Sequence, residues 1–215
     1  LGIEVSERLI MFLLFIPFFL ISIAVHEFAH AATAYKLGDD TAKSHGRLTL
    51  NPIKHLDLVG SIIMPILAFS SGFALIGWAK PVPVNPHKLR NGLMGDAAVS
   101  AAGPLSNLGL AFVFAILLKV FQILAVLGEM ITEMFLFGVF INIFLCFFNL
   151  IPIPPLDGSH LIYDFFPNNF TARFLNLGLY GTILLLLFIY SPLWDYFISL
   201  ISFVISLIYF LFGLR

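Results

Sequence analysis

Charge is what this 215-residue sequence has least of. Only 11% of its residues are Asp, Glu, Lys or Arg, against the roughly 25% of an ordinary soluble domain. That shortage excludes a solvated globular surface. The net charge is −1, so no basic excess points to nucleic acid. A single cysteine, Cys146, excludes an internal disulfide framework. The first apolar run lacks a basic n-region and a small-residue cleavage site and leads into a charged motif, so no cleavable signal peptide is expected. What fills the sequence is apolar: 60% hydrophobic residues, 25 of the 215 being Phe, and a mean hydropathy of +1.02. The chain reads as an integral protein of the lipid bilayer.

A helix needs about 20 mostly apolar residues to cross the hydrocarbon. Six segments qualify or come close: 9–35, 57–78, 95–127, 131–150, 173–190 and 194–213. The expected fold is an all-α polytopic membrane protein of five to six transmembrane helices, forming a single membrane-embedded domain over 1–215. Short β-strands at the cytoplasmic face are expected, one from "GRLTL" (46–50), while the "KPVPV" (80–84) within the Pro-rich stretch 78–92 suggests an extended edge strand or loop. Segment 57–78, with Pro65 and the break Ser70-Ser71-Gly72, is expected to dip into the membrane and return. Lys54 precedes it and Lys80, Lys88 and Arg90 follow it, so both flanks look cytoplasmic by the positive-inside rule. His45, His55 and His87, with Lys36, Lys43, Arg47 and Lys54, read as solvated loop residues.

The stretch "ISIAVHEFAHAATAY" (21–35) breaks the apolar pattern. An ionisable side chain at the bilayer centre costs roughly 2.5–3.5 kcal/mol on insertion scales and is functional by default. Here His26, Glu27 and His30 fall within five residues. On a helix, positions i and i+4 share one face, so the two imidazoles can bind one ion. Glu27 lies beside them. This is the H-E-x-x-H arrangement, two zinc ligands and a carboxylate able to take a proton from water. At about 1.5 Å rise per residue the motif lies roughly 10 Å inside the helix end at Tyr35.

Catalytic zinc takes three protein ligands and keeps one open position, so a third must come from elsewhere. Asp157 in "PPLDGSH" follows an apolar segment, and Pro154 and Pro155 prevent a continued helix there. Asp57 and Asp96 compete, but each starts an apolar segment, where a helix N-terminal Asp is the plainer reading. His160 is also available.

"HEFAH" in the first segment, "AGPLSN" (102–107) in the third and "NLIPIPPLDG" (149–158) closing the fourth together resemble the site-2 protease family of intramembrane zinc metalloproteases. The resemblance spans about 9–165, which would make 173–213 a pair of C-terminal helices. It implies one Zn2+ held by His26, His30 and Asp157, with Glu27 as catalytic base. It also implies substrate contacts at Asn149, Pro152 and Pro154; Asn107 either lies near the substrate or bonds neighbouring backbone. The chain looks like a compact member without PDZ or CBS domains. The expected activity is hydrolysis of peptide bonds within or near transmembrane segments of membrane-protein substrates, as in regulated intramembrane proteolysis. The setting implied is the cytoplasmic membrane of a prokaryote, with the active site toward the cytoplasm. Two other classes could use the motif: another membrane zinc hydrolase, such as a prenyl-protein protease, and a non-enzymatic metal transporter.

Overall fold

The computed structural model describes residues 2–63, 80–124 and 128–214. In chain order its α-helices are α1 (Gly2–Lys36), α2 (Thr41–Ser44), α3 (Leu93–Ile123), α4 (Glu129–Asn149), α5 (Asp157–Phe165), α6 (Asn169–Leu175), α7 (Leu179–Ile189) and α8 (Leu193–Phe212). Short 3-10 turns cover Pro52–His55 and Pro86–Lys88, and a π-helical turn covers Leu58–Ile63.

Four of the described helices are long and apolar enough to span a membrane: α1 over Leu13–Lys36, then α3, α4 and α8. Helices α6 and α7 would count as a fifth only as one broken span, because they meet at 83°. The break has a local cause. Helix α6 stops at Leu175, and Gly178 at φ 55° redirects the chain before α7. This is a multi-pass, all-helical membrane protein.

Contacts along the helices fix their directions. Phe18, His26 and His30 of α1 meet Phe114, Asn107 and Val99 of α3, so these two helices are antiparallel. Phe15 stacks on Phe137 with ring centroids 4.3 Å apart, and Ser22 accepts a hydrogen bond from Asn142, so α1 and α4 run the same way. One described crossing, α3, therefore separates them. That is the parity needed for the end of α1 and the end of α4 to meet at one depth. The core lies between α3, α4 and α8, with Ala111, Phe114, Leu118, Val139, Ile143 and Ile201 buried. Small residues at 111 and 115 let α4 approach α3 closely. Phe144, Phe148, Phe188, Trp194 and Phe197 form an aromatic seam tying α7 and α8 to α4.

Several expectations are corrected. Among the described residues there is no β-strand. Residues 46–50 turn on themselves, with Thr49 N–H donating to Arg47 O at 3.0 Å. Residues 80–84 are non-helical, but Pro81 and Pro83 offer no N–H for a ladder. His55 is not solvated: it is fully buried, with Nε2 2.8 Å from Thr49 O. Arg47 is buried as well, donating to the carbonyls of Lys80 and Pro81. Of segment 57–78, residues 64–78 lie outside the described residues, and with them the expected return of the chain. Asp57 caps the described start, its Oδ1 accepting the N–H groups of Val59 and Gly60.

Candidate metal centre

Three acceptor atoms converge where α1, α3 and α5 meet. His26 Nε2 and His30 Nε2 lie 3.0 Å apart, and Asp157 Oδ2 lies 3.3 Å from the first and 3.4 Å from the second. Among the described residues this is the one group of three or more His, Cys, Asp or Glu side chains close enough to share an ion.

The backbone explains how the three arrive. His26 and His30 are one turn apart on α1. Asp157 opens α5, where a helix N-terminus favours a carboxylate. It is brought there by a sharp reversal after α4: a Cβ at Gly158 would collide with Leu150 O and stand 2.6 Å from Ile151 O, so the chain can fold back this tightly with glycine alone. On the third side is Gly103 of α3. A Cβ there would collide with His30 Nε2 and stand 2.6 Å from His26 Nε2.

The protonation pattern follows from hydrogen-bond partners. His30 Nδ1 faces the Val99 carbonyl at 2.7 Å, so it must carry the proton and donate. His26 Nδ1 faces Asn107 Oδ1 at 2.6 Å. The amide of Asn107 is oriented by its own bonds, since Nδ2 donates to Ser22 O at 3.1 Å and Asn142 Oδ1 at 2.8 Å. Asn142 in turn donates to Ser22 Oγ at 2.7 Å and Gly138 O at 2.8 Å. With both Nδ1 atoms protonated, the two neutral imidazoles turn bare lone pairs toward each other and toward Asp157. Asp157 Oδ2 is buried and has no hydrogen-bond partner. Three lone-pair donors packed this closely without a proton among them call for a cation. The spacing suits zinc: bonds of about 2.0–2.1 Å to tetrahedral ligands place those ligands about 3.3–3.4 Å apart.

Glu27 sits beside the cluster, 8% exposed, and its Oε2 accepts the N–H of Val82 at 3.0 Å. Above it the chain from Lys80 to Asn85 forms a strap. Asn85 N–H donates to Asp39 Oδ2 at 2.7 Å. Burial opposes charge on Asp39. The Asn85 and Thr41 donors, with Lys88 nearby, outweigh it and hold its carboxyl below the usual range.

With this geometry in view, the comparisons with known proteins can be read. The chain is 41% identical over 182 residues to Putative zinc metalloprotease YwhC of Bacillus subtilis, covering 82% of this chain and 80% of the relative. The chain belongs to peptidase family M50. The profile of Peptidase family M50 itself matches residues 119–189, which include Asp157. Putative zinc metalloprotease Rip2 of Mycolicibacterium smegmatis is 33% identical over 153 residues, 69% of this chain and 55% of that protein. Putative zinc metalloprotease MJ0611 of Methanocaldococcus jannaschii is 39% identical over 93 residues, 43% of this chain and 45% of that protein. The chain thus spans about half the length of the last two. No solved structure matches it. This membership agrees with the site-2 protease resemblance carried by the three motifs.

The other sequence-predicted residues of this M50 chain are placed as follows. Asn107, expected near the substrate or bonded to neighbouring backbone, is fully buried behind His26, and its amide is spent on His26, Ser22 and Asn142. Asn149 is half-buried, with Nδ2 donating to Leu145 O at 2.9 Å on its own helix. Pro152 is exposed and lines a shallow apolar cavity of about 280 Å³ with Gly158, Leu161 and Phe165. Pro154 is buried and joined to Pro155 by a cis peptide bond. His160 is exposed, and neither it nor Asp96 joins the cluster. Residues unremarked in the sequence were Ser22, Asp39 and Asn142, while Gly103 and Val82 were legible as a close-packing helix start and as extended backbone. Of the unremarked three, Asn142 alone carried a signal, as a lone amide in an otherwise apolar run.

Proposed function

We propose that this M50 chain is a zinc metalloprotease that hydrolyses peptide bonds within or next to transmembrane segments of membrane-protein substrates. The observation that carries the reading is the convergence of His26, His30 and Asp157 within 3.4 Å of one another, beside Glu27, among membrane-spanning helices. The relatives' names, all zinc metalloproteases, support it. His26, His30 and Asp157 would hold one Zn2+, which when bound acts as a Lewis acid and lowers the pKa of water toward ~7. Glu27 takes a proton from the attacking water at its carboxylate and returns it to the leaving amine. Asn107 and the Val99 carbonyl keep both imidazoles in the Nδ1–H form, leaving Nε2 for the ion. The low exposure of His26, Glu27 and His30 restricts water to the reacting face. A helical substrate hides its carbonyls in i→i+4 bonds, so it must unwind before Glu27 can act on it. Pro152, which is exposed, and Asn149 would contact that segment. The whole chain, core and C-terminal helices, works as one domain in the cytoplasmic membrane of a prokaryote, with the site toward the cytoplasm. The reaction would serve regulated intramembrane proteolysis, on single-span substrates already trimmed elsewhere.

A prenyl-protein protease would take its third ligand from a Glu. The glutamates that follow the motif, Glu129 and Glu133, are exposed at the start of α4, and even Glu133 is roughly 24 Å of helix from Asn149. A transporter needs ligands along a through-path, and one cluster supplies a single station. The experiment is a proteome-wide comparison of membranes expressing the wild-type chain or Glu27→Gln, with zinc analysis of both purified proteins. The expected result is one zinc per chain in each and substrate cleavage in the wild type alone. Equal cleavage by Glu27→Gln, or retention of zinc by Asp157→Ala, would overturn the reading.

A further inference from the structure

The sequence Lys80-Pro81-Val82-Pro83-Val84-Asn85 looks at first like a loop that merely avoids secondary structure. Its placement says more. Of the three residues 81–83, Val82 alone has an N–H, because proline has none. That N–H is the one that reaches Glu27, 3.0 Å from Oε2 and 55 residues away in sequence. A slip of one residue in either direction would present a proline to the carboxylate and break the contact. The prolines also confine the residues before them, Lys80 and Val82, to extended backbone, so the strap has little conformational freedom to lose.

Both ends of the strap are pinned by side chains or backbone that face inward. Lys80 N–H donates to His55 O at 2.9 Å, Arg47 donates to the carbonyls of Lys80 and Pro81, and Asn85 N–H donates to Asp39 Oδ2 at 2.7 Å. Beyond it, Arg90 N–H donates to Leu37 O at 2.8 Å. His55 and Asp39 are fully buried and Arg47 nearly so. Three buried polar residues thus hold a six-residue strap in one register, and that register delivers one N–H to one carboxylate. A glutamate on a helix otherwise has three rotatable bonds and no reason to favour the rotamer that faces the reacting bond.

We infer that the Val82 backbone N–H is a positioning donor for Glu27, fixing the carboxylate by Oε2 and leaving Oε1 for the proton. The inference rests on the reading of Glu27 as the proton acceptor. Val82 is a positioning residue and touches no substrate in this role. Its side chain is incidental, and its N–H is what matters.

The test uses the full-length chain in detergent micelles, with dye-labelled β-casein as probe because an unfolded chain offers extended backbone. Val82→Pro removes the donor and keeps an extended strap. Val82→Ala keeps the donor and trims the side chain. A third protein carries valine's α-hydroxy acid analogue at 82, which replaces the N–H by an ester oxygen, keeps the side chain and weakens Pro81 O as an acceptor for Arg47. The expected result is a kcat reduced about 10- to 100-fold in the proline and ester proteins. KM should stay within about threefold and zinc at one per chain, and Val82→Ala should match the wild type. A KM effect with unchanged kcat would assign the strap to substrate binding and overturn the inference. So would wild-type kcat in the ester protein, or loss of zinc or thermal stability in it, which would make the bond scaffolding. If Val82→Pro unfolds, the ester protein decides. Glu27→Gln is measured alongside. If it cleaves casein, the proton-acceptor reading falls and this inference with it; if it is inactive while the ester protein is normal, the positioning role alone falls.

Discussion

Gly103→Ala separates metal binding from folding, because the zinc-dependent part of stability is read against chelator. Position 103 is inside α3, where alanine is favoured over glycine by about 1 kcal/mol. On helix propensity alone the metal-free variant should be the more stable protein. The added methyl group, however, lands among the ligands. It would stand 2.6 Å from His26 Nε2, whereas ordinary van der Waals contact begins at 3.4 Å, so that nitrogen must retreat by 0.8 Å. His30 Nε2 is closer still and must move further. Zinc sites tolerate displacements of about 0.2 Å in a ligand bond, so neither imidazole can remain at bonding distance while keeping its Nδ1 partner. Losing one ligand should weaken zinc binding at least 100-fold, which corresponds to about 2.8 kcal/mol. The assay is chelator-competition titration of zinc on the purified protein, with thermal unfolding recorded with and without excess chelator. Crowding at the buried imidazoles costs about 1–3 kcal/mol, so we expect Gly103→Ala to unfold at or below the wild-type temperature in chelator and to lose the zinc-dependent increment. Wild-type zinc affinity in this variant would refute the placement of Gly103 against the ligands, and with it the geometry of the centre.

Asn142→Leu removes the acceptor that orients Asn107 and the donor to Ser22; freeing that amide to turn its NH2 toward His26 should cost about 10-fold in zinc affinity, and an unchanged titration would exclude the role. Asp164, outside the spanning helices, is buried with both carboxylate oxygens unpartnered; burial, and then the neighbouring charge of Asp96, push its pKa up to about 7 from 3.8. Because the folded value is the higher one, the cost is absent below about pH 4, grows as pH rises toward 7 and is constant above. Asp164→Asn should therefore raise thermal stability at pH 8 by of order 1 kcal/mol and leave it unchanged at pH 4; the opposite pH order would contradict this. Lys54→Cys and Lys88→Cys, each in a Cys146→Ser background, should label from the same side of the membrane with an impermeant reagent; labelling from opposite sides would mean that residues 57–78 cross it.

Candidate ligands were legible where chemistry constrains them locally. Two histidines four apart in an apolar helix have few uses, whereas Asp157 stood beside Asp57, Asp96 and His160 until the family resemblance favoured it. The helical, multi-pass architecture was legible from hydropathy for the same reason: a bilayer leaves little choice of backbone. Loops were read worst. Arg47 and His55 look solvated in sequence because each lies among Lys, Asp and Asn. Arg47 is buried where it donates to carbonyls of the Pro-rich strap, far along the chain and short of N–H donors for a sheet, and His55 where its turn packs against α1. The edge-strand reading of 80–84 failed on that same shortage, since each proline that keeps the backbone extended also removes a rung of the ladder. Asn107 could be read equally as lying near the substrate or as bonding neighbouring backbone. It faces His26 instead, because Asn142, in a helix 35 residues away, takes one of its two protons and the Ser22 carbonyl takes the other, leaving the carbonyl oxygen as the atom that can turn to the imidazole. Spacing within one helix can reveal a ligand pair, but the group that sets a ligand's tautomer lies across a helix interface. Its identity depends on which residues the packing of α1, α3 and α4 brings to one level.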